Sequence, residues 1–359
     1  MSVKAQNVTF EIFHSISQLK EIWVEFDVLA RRQIRDGKAP IEYSFYQSYP
    51  WNEFVEEYYG THKRRFKRLE YILMKVDGTP MAIMPLQVTT FPKRKVEMTS
   101  WRTAGICNVV SPWNEAGHEP VFKALAEFMA QRYKGYRMRL FDMPVKLPFV
   151  TALAELPGAN ETERDSFHIP LSDFEDFDAY YASLSKKLRH NIQTRSNHFT
   201  HGDLSWELKM YDRHNPPTHE QWLAIWRIFY YRKLQWNKKS SNILRRMACE
   251  WQARREVSEG MKVASFNALD EARMFVFEIN GVPAAFAFFY VTDDGYIVVP
   301  KLAIDMRFRT HAPGILMLKE IMKWCYANGI KDFDLCRGEE PYKQQMGAVC
   351  AKISRVILK

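Results

Sequence analysis

The chain has 359 residues, 47% apolar and 14% aromatic, and 51 Lys and Arg against 42 Asp and Glu give a formal net charge of +9. That length exceeds the ~250–300 residues at which single cores stop growing, so two domains are expected, and the apolar content excludes a globally disordered chain. No stretch approaches the roughly 18 uncharged apolar residues of a membrane span, and MSVKAQNVTFEIFHSI carries no apolar h-region, so a cytoplasmic protein without a secretory signal is expected.

The five cysteines (Cys107, Cys249, Cys325, Cys336, Cys350) are scattered, without a C-x-x-C. An odd, sparse set fits reduced thiols better than a disulfide frame or a zinc site, and no metal is expected. The positive charge suits a polyanion such as nucleic acid, an anionic membrane or a phosphorylated ligand, without choosing among them.

In chain order, residues 69–88 (LEYILMKVDGTPMAIMPLQV) predict two strands around a tight turn at Asp77-Gly78. A type I′ turn needs positive φ at both central residues, which Asp-Gly and Asn-Gly tolerate best. A helix, Gly135 and a strand follow within residues 120–144. Residues 172–255 predict a mainly helical stretch, with Ser and Asp as capping candidates, a basic face (Lys186, Lys187, Arg189, His190, Arg195) and an aromatic helix ending near Trp236. The aromatics of that helix read mostly as core. Residues 272–291 then repeat the first hairpin around Asn280-Gly281, again with a proline two residues after the glycine, Pro283 matching Pro80. A second helix carries Leu316, Ile321, Met322 and Cys325 at helical spacing, and Gly329 and a strand follow it. Helix followed by strand implies a crossover and local parallel pairing, so the chain reads as two copies of one α/β unit.

Two segments suggest chemistry. In 296–320 a β-rich stretch passes through a basic loop with Arg307 and Arg309 into a helix opening at Pro313, where a missing N–H does no harm. The first N–H groups of that helix and the two arginines make an anion site, and Gly314 admits a close approach to the backbone. In 332–343 (DFDLCRGEEPYK) a strand ends in a loop with two carboxylates, a tyrosine and a lysine. A carboxylate there suits deprotonation of an attacking amine or hydroxyl, and a tyrosine suits protonation of a leaving thiolate. No G-x-S-x-G, H-E-x-x-H, P-loop or G-x-G-x-x-G is present.

Residues from about 170 to 350 resemble the CelD-like acetyltransferases of the GNAT superfamily, which are related to the Fem-type aminoacyltransferases. SLSKKLRHNIQTR is similar to that family's basic helix, Ala312-Pro313-Gly314 to the opening of its CoA-facing helix, and FDLCRGEEPYKQQMG to its ending. Arg309 to Gly314 departs from the usual GNAT [QR]-x-x-G-x-[GA] loop, with Ala312 in place of a glycine and Pro313 lacking an N–H.

The resemblance implies an α/β, tandem GNAT-like fold, two mixed sheets flanked by helices. The expected domains are 1–165, a degenerate repeat, and 166–359, the acyl-CoA-binding domain. The implied activity is transfer of an acyl group, acetyl in the first instance, from acyl-CoA to an amine or hydroxyl of a small metabolite, sugar or cell-envelope precursor, by direct attack in a ternary complex. Glu340, Tyr342 and, in reserve, Asp334 are the candidate catalytic residues. Arg307, Arg309, Ala312, Gly314 and Ile315 are the candidate donor contacts, and Lys186, Arg189, His190, Trp236 and Lys343 the candidate acceptor contacts. A Fem-type enzyme using aminoacyl-tRNA ranks second, and a catalytically silent binding scaffold third.

Overall fold

A computed structural model describes residues 7–35, 44–61, 66–99, 107–200, 204–237, 243–263 and 269–359. Both predicted turns form with positive φ at their central residues: Asp77 48°, Gly78 82°, Asn280 51° and Gly281 75°. The chain packs into two units, one of residues 1–166 with 350–359 and one of residues 167–349.

In the first unit, strand β1 (Val8–Phe13) pairs antiparallel with β2 (Lys67–Val76), and β2 with β3 (Thr79–Thr89). Helices α1 (Lys20–Arg35) and α2 (Tyr49–Thr61) lie between β1 and β2 in the chain. Trp23 and Phe26 of α1 are buried with Tyr49, Tyr71, Leu73 and Ile83. Strand β4 (Lys95–Met98) continues the sheet, α3 (Glu119–Arg132) crosses over, and β5 (Arg137–Pro144) returns parallel to β4 over three residue pairs. A short α4 (Pro148–Ala154) and β6 (Ala159–Pro170) lead across the division at Ser166/Phe167.

The second unit repeats this plan after two added helices, α5 (Phe177–Ser183), capped by Asp176, and α6 (Lys186–Thr200). Strand β7 (Trp206–Tyr211) was not foreseen in the stretch read as helical; its WELKMY alternation is too short and too exposed to announce a strand. Helices α7 (His219–Asn237) and α8 (Ile243–Val263) follow, then β8 (Ala272–Ile279), β9 (Val282–Val291) and β10 (Tyr296–Ile304). Helix α9 (Pro313–Ala327) crosses over to β11 (Asp332–Arg337), and a single-turn α10 (Pro341–Gln345) closes the unit. The strand order is β11-β10-β9-β8-β7. One face of this sheet buries Phe275, Phe277, Ala285, Ala287, Phe289, Phe333 and Leu335 against Leu316, Met317, Ile321 and Met322 of α9. On the other face Trp226 and Phe229 of α7 pack against Phe286.

The far end of the expected 166–359 domain is corrected by the last strand, β12 (Val349–Leu358). It pairs antiparallel with β5 of the first unit, from Ile353–Pro144 to Leu358–Met138. Arg355 anchors it, Nε donating to Asp142 at 2.9 Å, and the Ser354 hydroxyl donates to Glu161 at 2.5 Å. No described helix is long and apolar enough to cross a membrane.

Candidate active site

Strands β10 and β11 are parallel but joined at only three pairs, Tyr296–Asp332, Ile297–Phe333 and Val298–Asp334. Beyond Val298, β10 stays with β9 through a bulge between Val298 and Lys301, while β11 runs on to Arg337. The two strands therefore part at Val298 and Asp334. A gap between parallel strands leaves backbone donors and acceptors in need of a partner, which an extended ligand can supply.

Side chains alternate along β11. Phe333 and Leu335 enter the core beneath α9, so Asp332 and Asp334 face the α7 side. His168, near the end of β6, places Nδ1 2.6 Å from the Asp332 carboxylate, which is only 4% exposed. Burial pushes Asp332 up, and the His168 hydrogen bond only partly opposes it. For His168 burial works downward, but the bond to Asp332 and the nearby charges of Asp334 and Asp173 outweigh it and raise the imidazole.

Asp334 has no cation bonded to it among the described residues; one carboxylate oxygen accepts the Cys336 N–H at 2.6 Å. Burial, reinforced by the charge of Asp332, pushes its pKa up to about 7, although the Cys336 N–H, His168 and Lys343 pull the other way. A carboxylate poised there exchanges protons at neutral pH. The neighbouring Cys336 thiol is pushed well up by burial and by Asp334, which leaves it a poor nucleophile.

The loop after β11 is held from within. Lys343 is 2% exposed, and its Nζ donates to the carbonyls of Cys336, Arg337 and Gly338 at 3.0, 3.0 and 3.1 Å and lies 3.1 Å from the Glu340 carboxylate. An ammonium has three donors, so none remains for an acceptor, and the substrate-binding role expected for Lys343 is corrected to a positioning one. Gly338 at φ 114° lies so close to Glu340 that an added Cβ would stand 2.6 Å from its Oε2. Glu340 is exposed at the start of α10, paired with Lys343, and Glu339 beside it is exposed as well. Tyr342 is partly buried against the core beneath α9; burial first, then the charges of Glu340 and Cys336, raise its phenol, which stays protonated at neutral pH.

The basic loop before α9 is a 3₁₀ turn, Met306–His311. Asp305 caps it by accepting the Arg307 N–H at 2.9 Å, and it also takes the Arg307 guanidinium at 2.9 and 2.6 Å. Arg307 is thus committed to Asp305, while Arg309 is exposed with no ion pair among the described residues. Ala312 adopts the left-handed conformation at φ 50°, ψ 47°, and Pro313 opens the helix. The Gly314 and Ile315 amides are first-turn donors with no place in the helical ladder. The expected reason for Gly314 gains a second part: a Cβ there would meet Ile304 Cγ2 at 2.8 Å, so packing against β10 also favours a glycine.

A pocket of about 540 Å³ lies between the second half of α7 and the far end of β10. Ile228, Leu234, Val282, Pro283 and Ile304 line it with Tyr231, Gln235, Arg227, Arg232 and the Asp305–Arg307 pair. On α6, Lys186 and His190 are exposed, whereas Arg189 turns back and donates from Nε to the Leu184 carbonyl at 3.1 Å. Trp236 falls near the end of α7, and its side chain lies outside the described residues. Sequence reasoning did not find His168. The Asp-Phe-Asp spacing of β11 was the available signal for a two-carboxylate face, but nothing local ties it to a histidine 164 residues away.

Residues 186–344 match a family model described as an acetyltransferase (GNAT) domain. No curated protein matches the chain. Among solved structures the chain is similar to FemX, at 11% identity over 96% of both chains with a TM-score of 0.51. It is also similar to a tandem GNAT protein from the clavulanic acid biosynthesis pathway, at 10% identity over 98% of both chains with a TM-score of 0.52. Likeness at such identities speaks for the fold alone.

Proposed function

We propose that this chain, which has the tandem GNAT fold and a GNAT domain as its second unit, transfers an acyl group, acetyl in the simplest case, from acyl-CoA to an amine or hydroxyl of a small metabolite, sugar or cell-envelope precursor. One observation carries the reading: a carboxyl group with a pKa near 7, Asp334, sits where β10 and β11 part, on the side lined by α7. In this reading the pantetheine arm of the donor lies along β10 and completes its backbone hydrogen bonds. The thioester then stands near Val298 and Asp334, and the pyrophosphate meets the Gly314 and Ile315 amides and Arg309.

The chemistry follows from the acceptor's proton. An amine of pKa ~10 must lose one before or during attack, and Asp334 is the group best placed and best tuned to take it. The acceptor nitrogen or oxygen bonds to the carbonyl carbon, the carbon–sulfur bond breaks, and the thiolate receives a proton from Tyr342. Asp334 thereby passes from reserve to first candidate for base. Glu340 becomes a loop element, since its carboxylate is exposed and paired with Lys343.

The test is a calorimetric titration with acetyl-CoA followed by assay against amine and hydroxyl acceptors over pH 5–9. Micromolar binding with a rate that falls below pH 7 supports the reading. Absence of donor binding removes it. The exposed Lys186, Lys187 and His190 of α6 favour a second reading, aminoacyl-tRNA as donor. Salt-sensitive tRNA binding without acetyl-CoA binding would select it, and neither response would leave a binding scaffold.

A further inference from the structure

We propose that one end of the first unit's sheet docks on an anionic lipid bilayer: Phe66 and Phe91 enter the interface, and the basic side chains around them, Lys93, Arg94 and Arg137 foremost, meet the head groups. The proposal goes beyond the acyl-transfer reading and does not depend on it. The register of the sheet brings the parts together. Lys67 at the start of β2 pairs with Thr89 at the end of β3, Thr89 with Lys95 at the start of β4, and Lys95 with Arg137 at the start of β5. Four strands thus meet in one row, roughly 14 Å wide at ~4.8 Å between neighbours. Phe66 lies just before β2, and Phe91 lies in the loop between β3 and β4.

Both rings meet water: Phe66 is 44% and Phe91 59% exposed, and their centroids stand 5.1 Å apart at 49°. Backbone hydrogen bonds fix the base beneath them. The Thr90 N–H donates to the Phe66 carbonyl at 2.9 Å, and the Arg137 N–H to the Arg94 carbonyl at 3.1 Å. Two large apolar rings left side by side in water are a docking signal, and the charge around them names the partner. Residues 66–68 and 91–95 hold Lys67, Arg68, Lys93, Arg94 and Lys95 and no acid. The acids further along the same strands, Glu70 and Glu97, are buried and bonded to cations. Lys93, Arg94 and Arg137 are exposed, and the Arg94 guanidinium lies 5.7 Å from the centre of the half-buried Tyr136 ring. An apolar wedge ringed by lysine and arginine is the chemistry of a peripheral contact with anionic lipid, where insertion and head-group attraction each supply part of the affinity. A single-stranded nucleic acid stacks its bases on open ring faces. Two phenylalanines in mutual contact leave no slot between them for a base, whereas a bilayer takes them as one wedge.

The experiment is co-sedimentation of the full chain with vesicles of phosphatidylcholine alone and of phosphatidylcholine mixed with phosphatidylglycerol. The wild type is compared with Phe66→Ser/Phe91→Ser and with Lys93→Glu/Arg94→Glu, each checked for an unchanged unfolding midpoint. Should either pair shift the midpoint, Phe91→Ser or Lys93→Glu alone carries the test. The wild type should bind the mixed vesicles and not the neutral ones, with an affinity that falls as salt rises. Each double variant should bind the mixed vesicles about tenfold more weakly or worse. A wild type that stays in the supernatant with both vesicles overturns the proposal. Binding that survives both pairs of substitutions places the contact on another face and overturns it as well. Binding lost in the charge variant but kept in the phenylalanine variant overturns the insertion. Binding of a single-stranded oligonucleotide without binding of vesicles reassigns the face to nucleic acid.

Discussion

The two units are built alike down to single hydrogen bonds, yet they pair the acids of their second parallel strands, β5 and β11, differently. In each, an Asx-Gly turn is gripped by the chain leading into the neighbouring strand. Asn7 N–H donates to the Asp77 side chain and Asp77 N–H to the Asn7 carbonyl; Ser205 and Asn280 exchange the same pair. Each hairpin carries a bulge just after its turn, at Met81 or Ala284, next to Pro80 or Pro283. Each continues into a strand that meets its parallel partner for three pairs. In the first unit, however, the buried carboxylates of the sheet are bound to cations: Glu70 to Arg68 and Arg132, Glu97 to Lys95 and Arg139, and Asp142 to Arg355. In the second, Glu278 is likewise bound to Lys209, but among the described residues Asp332 has only His168 and Asp334 accepts only a backbone N–H. Where unit two has Pro313-Gly314 at the head of its crossover helix, unit one has Pro120-Val121 with the valine buried. Duplicated architecture with divergent electrostatics separates a framework from a reactive site. Asp27 of the first unit is likewise raised by burial to about 7 and likewise accepts one backbone N–H, that of Tyr49, but it lies on helix α1 rather than where two strands part.

Exchanging the acids for their amides breaks this comparison most directly. Asp334→Asn should lower kcat by 10²–10⁴ and abolish the fall in rate below pH 7. It should also raise the unfolding midpoint at pH 8. The folded chain keeps this proton up to about pH 7 and the unfolded chain releases it near 3.8, so the ionised carboxylate weakens the fold increasingly across that interval. An unchanged midpoint together with wild-type kcat would return Asp334 to the framework.

Glu70→Gln should behave in the opposite sense, costing about 3 kcal/mol of stability in urea titrations at pH 7 while kcat per folded molecule holds. Burial alone would raise Glu70, but hydrogen bonds from Tyr133, Arg68 and Arg132 outweigh it and hold its pKa below 4.5. Its contribution is therefore present at neutral pH and disappears as pH falls through that depressed value. Acid should loosen the first unit in the range where protonation suits Asp334, and hydrogen exchange resolved by residue at pH 4 and pH 7 would display the two trends.

Arg309→Ala should raise the acyl-CoA KM by about tenfold with little change in kcat, the size of one charge-assisted bond of ~1.5–3 kcal/mol moderated by exposure. The smallest effect belongs to packing. Gly314→Ala should cost about 1–2 kcal/mol, because the new methyl meets Ile304 Cγ2, and Ile304→Ala, which removes that atom, should partly rescue it, costing less in that chain than in the wild type. Absence of that rescue would shift the need for glycine from the strand to the ligand.

Much of this plan was legible in the sequence because its signals are local. Asp77-Gly78 and Asn280-Gly281 define their turns within two residues, Pro313 marks its helix, and Asp334 declared itself by a charge inside an apolar strand. What stayed hidden depends on partners far along the chain. Lys343 reads as an acceptor contact until three carbonyls of one loop converge on it. Arg307 reads as a ligand cation until Asp305 is seen to claim it. Strand β7 has no pattern strong enough to stand without β8 beside it, and His168 has no meaning without Asp332.

The position of β12 bears on how the protein comes into being. Its residues follow the whole of the second unit in the chain, yet the strand they form pairs along β5, whose own residues emerge some two hundred positions earlier. On a ribosome the first unit must wait, with β5 unpartnered along that edge, until all of the second unit has been made. Domain-by-domain folding from the N-terminus is therefore closed to it: the unit begun first is the one finished last, and a chain cut short before Val349 would injure the half of the molecule that had already been translated.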